Sequence, residues 1–304
     1  MTPTRPVQAP QERAPTQASR LGRLVALVGL IAFVAAGVLV YAATRSDKTS
    51  PASDATGLPD TPDYHSLLVG PTSRDITLGT HYGLYQSSDG GRHWKEEGLS
   101  GQDAMNLARG ESQVVWEAGH NLLAKSTDRG QTWNDVRPAG LPSLDLHGFA
   151  VDARNRSILY AAVAGIGLYG SRDGGASFTA QSRDVGGAVM ALAATPDGTL
   201  LAGDMQQGLL ARNEHSAQWK RVLGAQVMGL AVNPARPRQI LAGGTGGIFL
   251  SSDGGKHWRR TQAISDGAGP VAWSSQQPNI AYAVGLDREL YTSNDAGETW
   301  TVVT

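Results

Sequence analysis

The sequence predicts an all-β fold, a six-bladed β-propeller preceded by one N-terminal transmembrane helix, and three observations predict it. One uninterrupted apolar run of twenty residues lies near the N-terminus. An eight-residue motif recurs at a period of about forty residues from residue 63 onward. Around it, short alternating strands with glycine-rich turns dominate, and no helical period of useful length competes with them.

The apolar run, residues 24–43 (LVALVGLIAFVAAGVLVYAA), has about the length a helix needs to cross a bilayer. Arg5, Arg13, Arg20 and Arg23 precede it against a single Glu12. Positive charge is retained on the cytoplasmic side, so the expected topology places the N-terminus inside and the bulk of the chain outside, in the periplasm or at the cell surface. The alternative is a cleaved signal peptide, with Val40-Tyr41-Ala42 as a small-residue cleavage site and a secreted product, but the apolar run exceeds the usual length of about 7 to 15 residues. Residues 1–20, rich in Pro, Gln, Thr and Arg, are expected to form a disordered cytoplasmic tail, residues 21–43 the signal anchor, and residues 44–62 a flexible tether.

The motif is S-x-D-x-G-x-x-W. It appears as SSDGGRHW (87–94), STDRGQTW (126–133), SRDGGASF (171–178), SSDGGKHW (251–258) and SNDAGETW (293–300). An eroded sixth copy ends at Trp219, with Asn213 at the aspartate position and His215 in place of a glycine. Positions 89, 128, 173, 213, 253 and 295 are separated by 39, 45, 40, 40 and 42 residues, the period of one four-stranded propeller blade. Each residue type has a physical reason. Asp89, Asp128, Asp173, Asp253 and Asp295 can accept backbone N–H bonds inside a tight turn, and glycine takes a conformation that strains residues with a Cβ. The aromatic residue (Trp94, Trp133, Phe178, Trp219, Trp258 or Trp300) packs on leaving the turn. Five of the seven tryptophans sit at this last position, which points to structure over catalysis.

In the fifth unit, VMGLAVNP reads as the inner strand, QILAGGT as the second, GGIFLSSD as the third and HWRRTQ as the outermost. The same division gives blades at about 63–102, 103–143, 144–185, 186–224, 225–266 and 267–304. Each blade is then contiguous in sequence, so the ring is expected to close by face-to-face packing without an exchanged strand. A seventh blade would have to draw its strands from residues 44–62, whose composition argues against it.

These boxes and their spacing resemble the BNR or Asp-box propellers, a group that includes bacterial sialidases, the sortilin luminal domain, photosystem II assembly-factor propellers and membrane-anchored bacterial proteins labelled as glycosyl hydrolases. The resemblance covers about four fifths of the chain. It implies the fold strongly and the function weakly, because in this family the boxes lie on peripheral turns away from the binding face.

Composition and motif content narrow the function. With 26 basic against 27 acidic residues the chain lacks the basic excess that nucleic-acid binding requires. It contains no cysteine, which removes disulfides, thiolate metal sites, cysteine nucleophiles and a lipidated N-terminal cysteine. Ser-His-Asp triads, Walker loops and H-E-x-x-H helices are missing, and glycine pairs such as Gly246-Gly247 mark hairpin turns. A sialidase-like glycoside hydrolase would need an arginine-bearing segment ahead of the first box, where the chain has Leu68-Val69-Gly70-Pro71. Asp103, Asp145, Asp184 and Asp266 fall between blades, where turn chemistry is the ordinary role of aspartate.

Aligning the inner strands puts His65, Met105, His147, Met190, Met228 and Val271 at one equivalent position. Aligning the turns after the second strands gives His81, His120, Gly165, Met205, Thr245 and Leu286. In a propeller both sets should surround one mouth of the central channel. Together they take every methionine except Met1 and four of the seven histidines; His93, His257 and His215 belong to the boxes. A thioether and imidazole set suits a soft metal, copper as Cu(I); the alternative is that methionine merely fills the narrow channel. The leading expectation is a noncatalytic binding or assembly module, tethered to a membrane by its N-terminal helix and presenting this mouth to a protein, glycan or small ligand. Tyr82, Asp103, Asp145, Asp204 and Asp266 are expected at its rim.

Overall fold

The computed structural model describes residues 57–304 except Gly186, Glu214, His215, Ala217, Gln262, Ala263 and Ser265. The predicted membrane segment, tail and most of the tether lie outside the described residues. Among the described residues no helix is present, and twenty-four strands form six antiparallel sheets of four, each contiguous in sequence.

The first sheet sets the pattern: β1 Tyr64–Val69, β2 Ile76–Thr80, β3 Gly83–Ser87 and β4 Lys95–Glu96. The second comprises β5 Ala104–Arg109, β6 Val115–Gly119, β7 Leu122–Ser126 and β8 Asn134–Asp135. The third comprises β9 Leu146–Val151, β10 Leu159–Val163, β11 Gly167–Ser171 and β12 Thr179–Ser182. The fourth comprises β13 Val189–Ala194, β14 Thr199–Asp204, β15 Gly208–Asn213 and β16 Lys220–Leu223. The fifth comprises β17 Val227–Val232, β18 Ile240–Gly244, β19 Gly247–Ser251 and β20 Arg259–Arg260. The sixth comprises β21 Ala268–Trp273, β22 Ala281–Gly285, β23 Leu290–Ser293 and β24 Thr301–Val302.

The first strand of each sheet lines the axis, and these inner strands pack in a closed cycle that returns from β21 to β1. The core lies between neighbouring sheets, as where Trp116, Leu123 and Leu146 pack with Phe149, Leu159 and Phe178. Sheets packed face to face bury both surfaces, which is why the second strands are apolar at nearly every position instead of alternating. Closure is helped by two arginines that reach across the chain ends. Arg288 donates to the carbonyls of Thr61 (2.7 Å) and Pro62 (3.1 Å), and Arg92 Nε donates to that of Thr304 (2.8 Å).

The five intact boxes share one hydrogen-bond scheme. In the second, Ser126 Oγ donates to Asp128 Oδ1 (2.7 Å) and accepts from the Gly130 amide (2.7 Å), while Asp128 Oδ1 accepts from the Thr132 amide (2.8 Å). Trp133 Nε1 then donates to the Gly130 carbonyl at 3.1 Å, a bond repeated by Trp94, Trp258 and Trp300 and missing among these five only where Phe178 stands. The residue before the aromatic supplies a donor to the second carboxylate oxygen in every box: His93, Thr132, Ser177, His257 and Thr299. The box histidines are therefore turn residues. In the eroded copy Trp219 Nε1 is buried without a partner and the Arg212 guanidinium lies 5.1 Å from the ring centre. His215 is outside the described residues.

Candidate functional site

Each inner strand runs from one end of the channel to the other and the second strand returns, so the turns between second and third strands share an end with the inner-strand entrances. The boxes and the loops between first and second strands occupy the opposite end, where Gly90 N donates to Arg74 O and Gly254 N to Arg238 O. The candidate site is the first of these ends.

Near its entrance every inner strand carries a register shift against its neighbour. In five blades one residue lies within the shift, and those residues are His65, Met105, His147, Met190 and Met228. A bulge leaves its extra residue unpaired and re-aims it, and such features gather at the rims of barrels and beside functional sites. In the sixth blade the shift spans Gly269 and Pro270. Counting back from the pair Trp273–Ala281, the counterpart of Val69–Ile76, puts Gly269 opposite His65. The alignment that gave Val271 this place is thus two residues out: the sixth blade carries the same one-residue excess as the others, with Gly269 in the bulge and Pro270, which has no N–H, unpaired beside it. By the same register Ala164, not Gly165, matches His81. His65, Met105, Met190 and Met228 line one small cavity of about 60 Å³, together with Pro270 and Val271.

At the outer edge of that cavity the blade 1–3 histidines meet three aspartates. His65 Nε2 lies 3.2 Å from Asp63 Oδ1 and 3.1 Å from Asp103 Oδ1. The other oxygen of Asp103 is 3.1 Å from His81 Nδ1 and 3.6 Å from His120 Nε2. Asp145 Oδ1 lies 2.8 Å from His120 Nδ1 and 3.2 Å from His147 Nε2. The His120 and His147 rings meet edge to face at 4.7 Å, and the His65 and His81 centroids are 6.4 Å apart. Asp103 is the hinge of this chain of groups, and its side chain is only 11% exposed. Its position depends on Gly119, where a Cβ would fall 1.8 Å from the Asp103 carbonyl oxygen.

Burial opposes charge on the His65 ring, but the carboxylates of Asp103 and Asp63 outweigh it and push the imidazole up to about 9. At His147 burial prevails over Asp145, and its pKa falls below the ordinary histidine value. Glu117, fully buried on β6, is pushed up to about 8 by desolvation. Its Oε1 accepts from the Asn106 amide at 2.8 Å, and its Oε2 has no partner.

The remaining predicted residues are dispersed. Met205 sits on the β14–β15 turn, where its carbonyl accepts from Gln226. Asp204 is buried and caps that turn through the amides of Gln206 (2.8 Å) and Gln207 (2.9 Å), so it is no rim residue. Tyr82 lies edge-on to His81 at 5.6 Å, and Asp266 is exposed in the segment before β21. Ile166 and Leu286, two of the three exposed large hydrophobic residues among those described, also stand on turns at this end.

Asp63 and Glu117 went unread in the sequence. Asp63-Tyr64-His65, Asp103-Ala104-Met105 and Asp145-Leu146-His147 repeat a D-x-H/M spacing in three consecutive blades, a signal that could have found the first. Arg109 and Arg156 were also missed. They flank a cavity of about 310 Å³ at the opposite end of the channel, where burial lowers both guanidinium pKa values and Arg109 Nη2 has no partner.

This closed ring of six four-stranded blades fastened by Asp boxes is a propeller of the BNR type. Within that class the chain belongs to the family described as photosynthesis system II assembly factor YCF48, matched over residues 71–303. It is 26% identical over 243 residues to the photosystem II assembly lipoprotein Ycf48 of Synechococcus sp. (strain CC9902), covering 75% of this chain and 71% of that protein. Among solved structures, YCF48 bound to D1 peptide is 17% identical with a TM-score of 0.54, covering 84% of this chain and 86% of that one. The GH74 enzyme of Niastella koreensis is 17% identical with a TM-score of 0.53. That match covers 78% of this chain and 46% of the enzyme, so this chain spans less than half its length. At these identities the solved structures attest the fold alone.

Proposed function

We propose that this chain is a noncatalytic assembly module, held at the outer face of a membrane by residues 24–43, that grips a segment of a partner protein at the His/Asp mouth of its propeller. One observation carries this reading: the family match covers residues 71–303, every strand but β1, and it is a family named for assembly factors, one of whose solved members is bound to a peptide. The mouth suits such a partner. It offers charged groups around Asp103 and Asp145 beside the exposed apolar side chains of Ile166 and Leu286, a mixture that favours a peptide over a sugar or a small ion alone.

The test is purification of the full chain from membranes in mild detergent, followed by identification of what accompanies it. A specific protein is expected, retained by the unaltered chain and reduced at least tenfold by Ile166→Asp with Leu286→Asp. Turnover of a chromogenic glycoside with no accompanying protein would overturn the proposal. Removal of residues 24–43 is expected to release the propeller from the membrane fraction.

A further inference from the structure

Two trios at the mouth, Asp63–His65–His81 and His120–Asp145–His147, each bring one ligand atom per residue within 4.8 Å of the others. We propose that they form a pair of adjacent sites for divalent transition-metal ions of the zinc class, joined by Asp103.

The distances carry the inference. Two ligands on a tetrahedral ion with bonds of about 2.0 to 2.1 Å stand about 3.3 Å apart. His65 Nε2 stands 3.2 Å from Asp63 Oδ1 and 3.1 Å from Asp103 Oδ1, and His147 Nε2 stands 3.2 Å from Asp145 Oδ1. Yet His65 Nε2, Asp103 Oδ1, Asp145 Oδ1 and His147 Nε2 are all buried without a properly aligned hydrogen bond. Atoms that are close but not aimed at one another are what co-ligands of an ion look like, since each lone pair points at the ion. Buried polar atoms otherwise find aligned partners. The box pairs make the contrast: His257 Nδ1 meets Asp253 Oδ2 at 2.6 Å on an exposed turn, with the same carboxylate accepting two backbone amides.

Donor chemistry selects the ion. Imidazole and carboxylate suit Zn²⁺ and its neighbours, whereas thioethers select Cu(I). The methionines lie deeper, around the cavity behind His65, and the groups that meet the histidines are carboxylates. This moves the expectation from Cu(I) to a divalent ion. Asp103 touches His65 from one oxygen and His81 and His120 from the other, so it orients ligands of both trios. The proposal goes beyond partner binding and does not depend on it.

The test is titration of the tag-free full chain with Zn²⁺ by calorimetry, with bound zinc counted by elemental analysis after desalting. Two equivalents are expected. His65→Ala with His81→Ala should remove one, His120→Ala with His147→Ala the other, and Asp103→Asn should weaken both by about 10- to 100-fold. His93→Ala with His257→Ala should leave both in place. Circular dichroism of each variant without metal confirms folding. No saturable binding by the folded chain overturns the proposal, as does binding that survives both mouth variants or is lost with the box histidines. A single equivalent overturns the pairing.

Discussion

Gly119→Ala is the sharpest single perturbation of the mouth. Residue 119 ends β6 opposite Ala104, and a Cβ there would fall 1.8 Å from the Asp103 carbonyl oxygen and 3.2 Å from the Met105 amide. Ordinary van der Waals contact begins near 3.4 Å, so the entrance to β5 must retreat by more than 1 Å. The obstacle is backbone, which cannot swing away as a side-chain tip would. Overpacking of this kind costs about 1 to 3 kcal/mol. For a propeller of this size each kcal/mol lowers Tm by about 2 to 4 °C, so a fall of about 2 to 12 °C is expected in a thermal melt followed by circular dichroism. Gly224→Ala is the control, because a Cβ there meets nothing within 4 Å. The displaced segment holds Asp103, so Gly119→Ala should also weaken zinc binding while Gly224→Ala does not. A melt for Gly119→Ala within about 0.5 kcal/mol of the unaltered chain would refute the close approach and the placement of Asp103 that rests on it.

Other outcomes follow from the same structure. Hydrogen bonds from Thr132 and Ser126 hold Asp128 down to about 2, and the carboxyls of Asp89, Asp173 and Asp253 lie well below the usual carboxylate range for the same reason. Lowered carboxylates contribute stability above their unfolded value of about 3.9 and lose it as pH falls toward the folded value. Tm should therefore hold down to about pH 4 and drop steeply between pH 4 and 2 in a pH series of melts; a flat profile across that window contradicts the box geometry. Ser251→Ala removes the hydroxyl that donates to Asp253 and accepts from the Gly255 amide, and should cost about 1 to 2 kcal/mol in urea unfolding. Arg288→Ala removes the bonds to Thr61 and Pro62 that pin the start of the first blade to the last, and should cost about 1 kcal/mol and expose residues 61–64 to faster amide exchange.

The blades were legible in the sequence because each must solve the same local problem. A Ser, an Asp, a glycine and an aromatic residue fasten a turn through bonds that depend on nothing distant, so Asp89, Asp128, Asp173, Asp253 and Asp295 announce themselves. The inner-strand ring was legible for a related reason: in five blades one bulge residue occupies the same place, and His65, Met105, His147, Met190 and Met228 fall into register. The sixth blade broke the pattern because its bulge residue is Gly269, neither His nor Met, and Pro270 beside it has no N–H to pair, so the residue types gave nothing to align. Glu117 was illegible because it sits inward in an apolar strand, where the Asn106 amide, Asp103 and the neighbouring blade's His65 give it a context that only the fold assembles. Asp103 and Asp145 were expected at the rim, but their pairing with the histidines carried no local signal, and Asp63 went unread. Asp63, Asp103 and Asp145 stand two residues ahead of ring positions, and only the curvature of the ring brings Asp103 between His81 and His120.

Site-specific crosslinking tests the account most directly. A photoreactive amino acid replaces Tyr82 at the mouth, or Gln277 in the loop before β22 at the opposite end, in the full chain within its native membrane. Capture of one defined protein from position 82, and none from position 277, is the predicted result. Equal capture from both positions, or capture from position 277 alone, would contradict the claim that this propeller works through its His/Asp mouth.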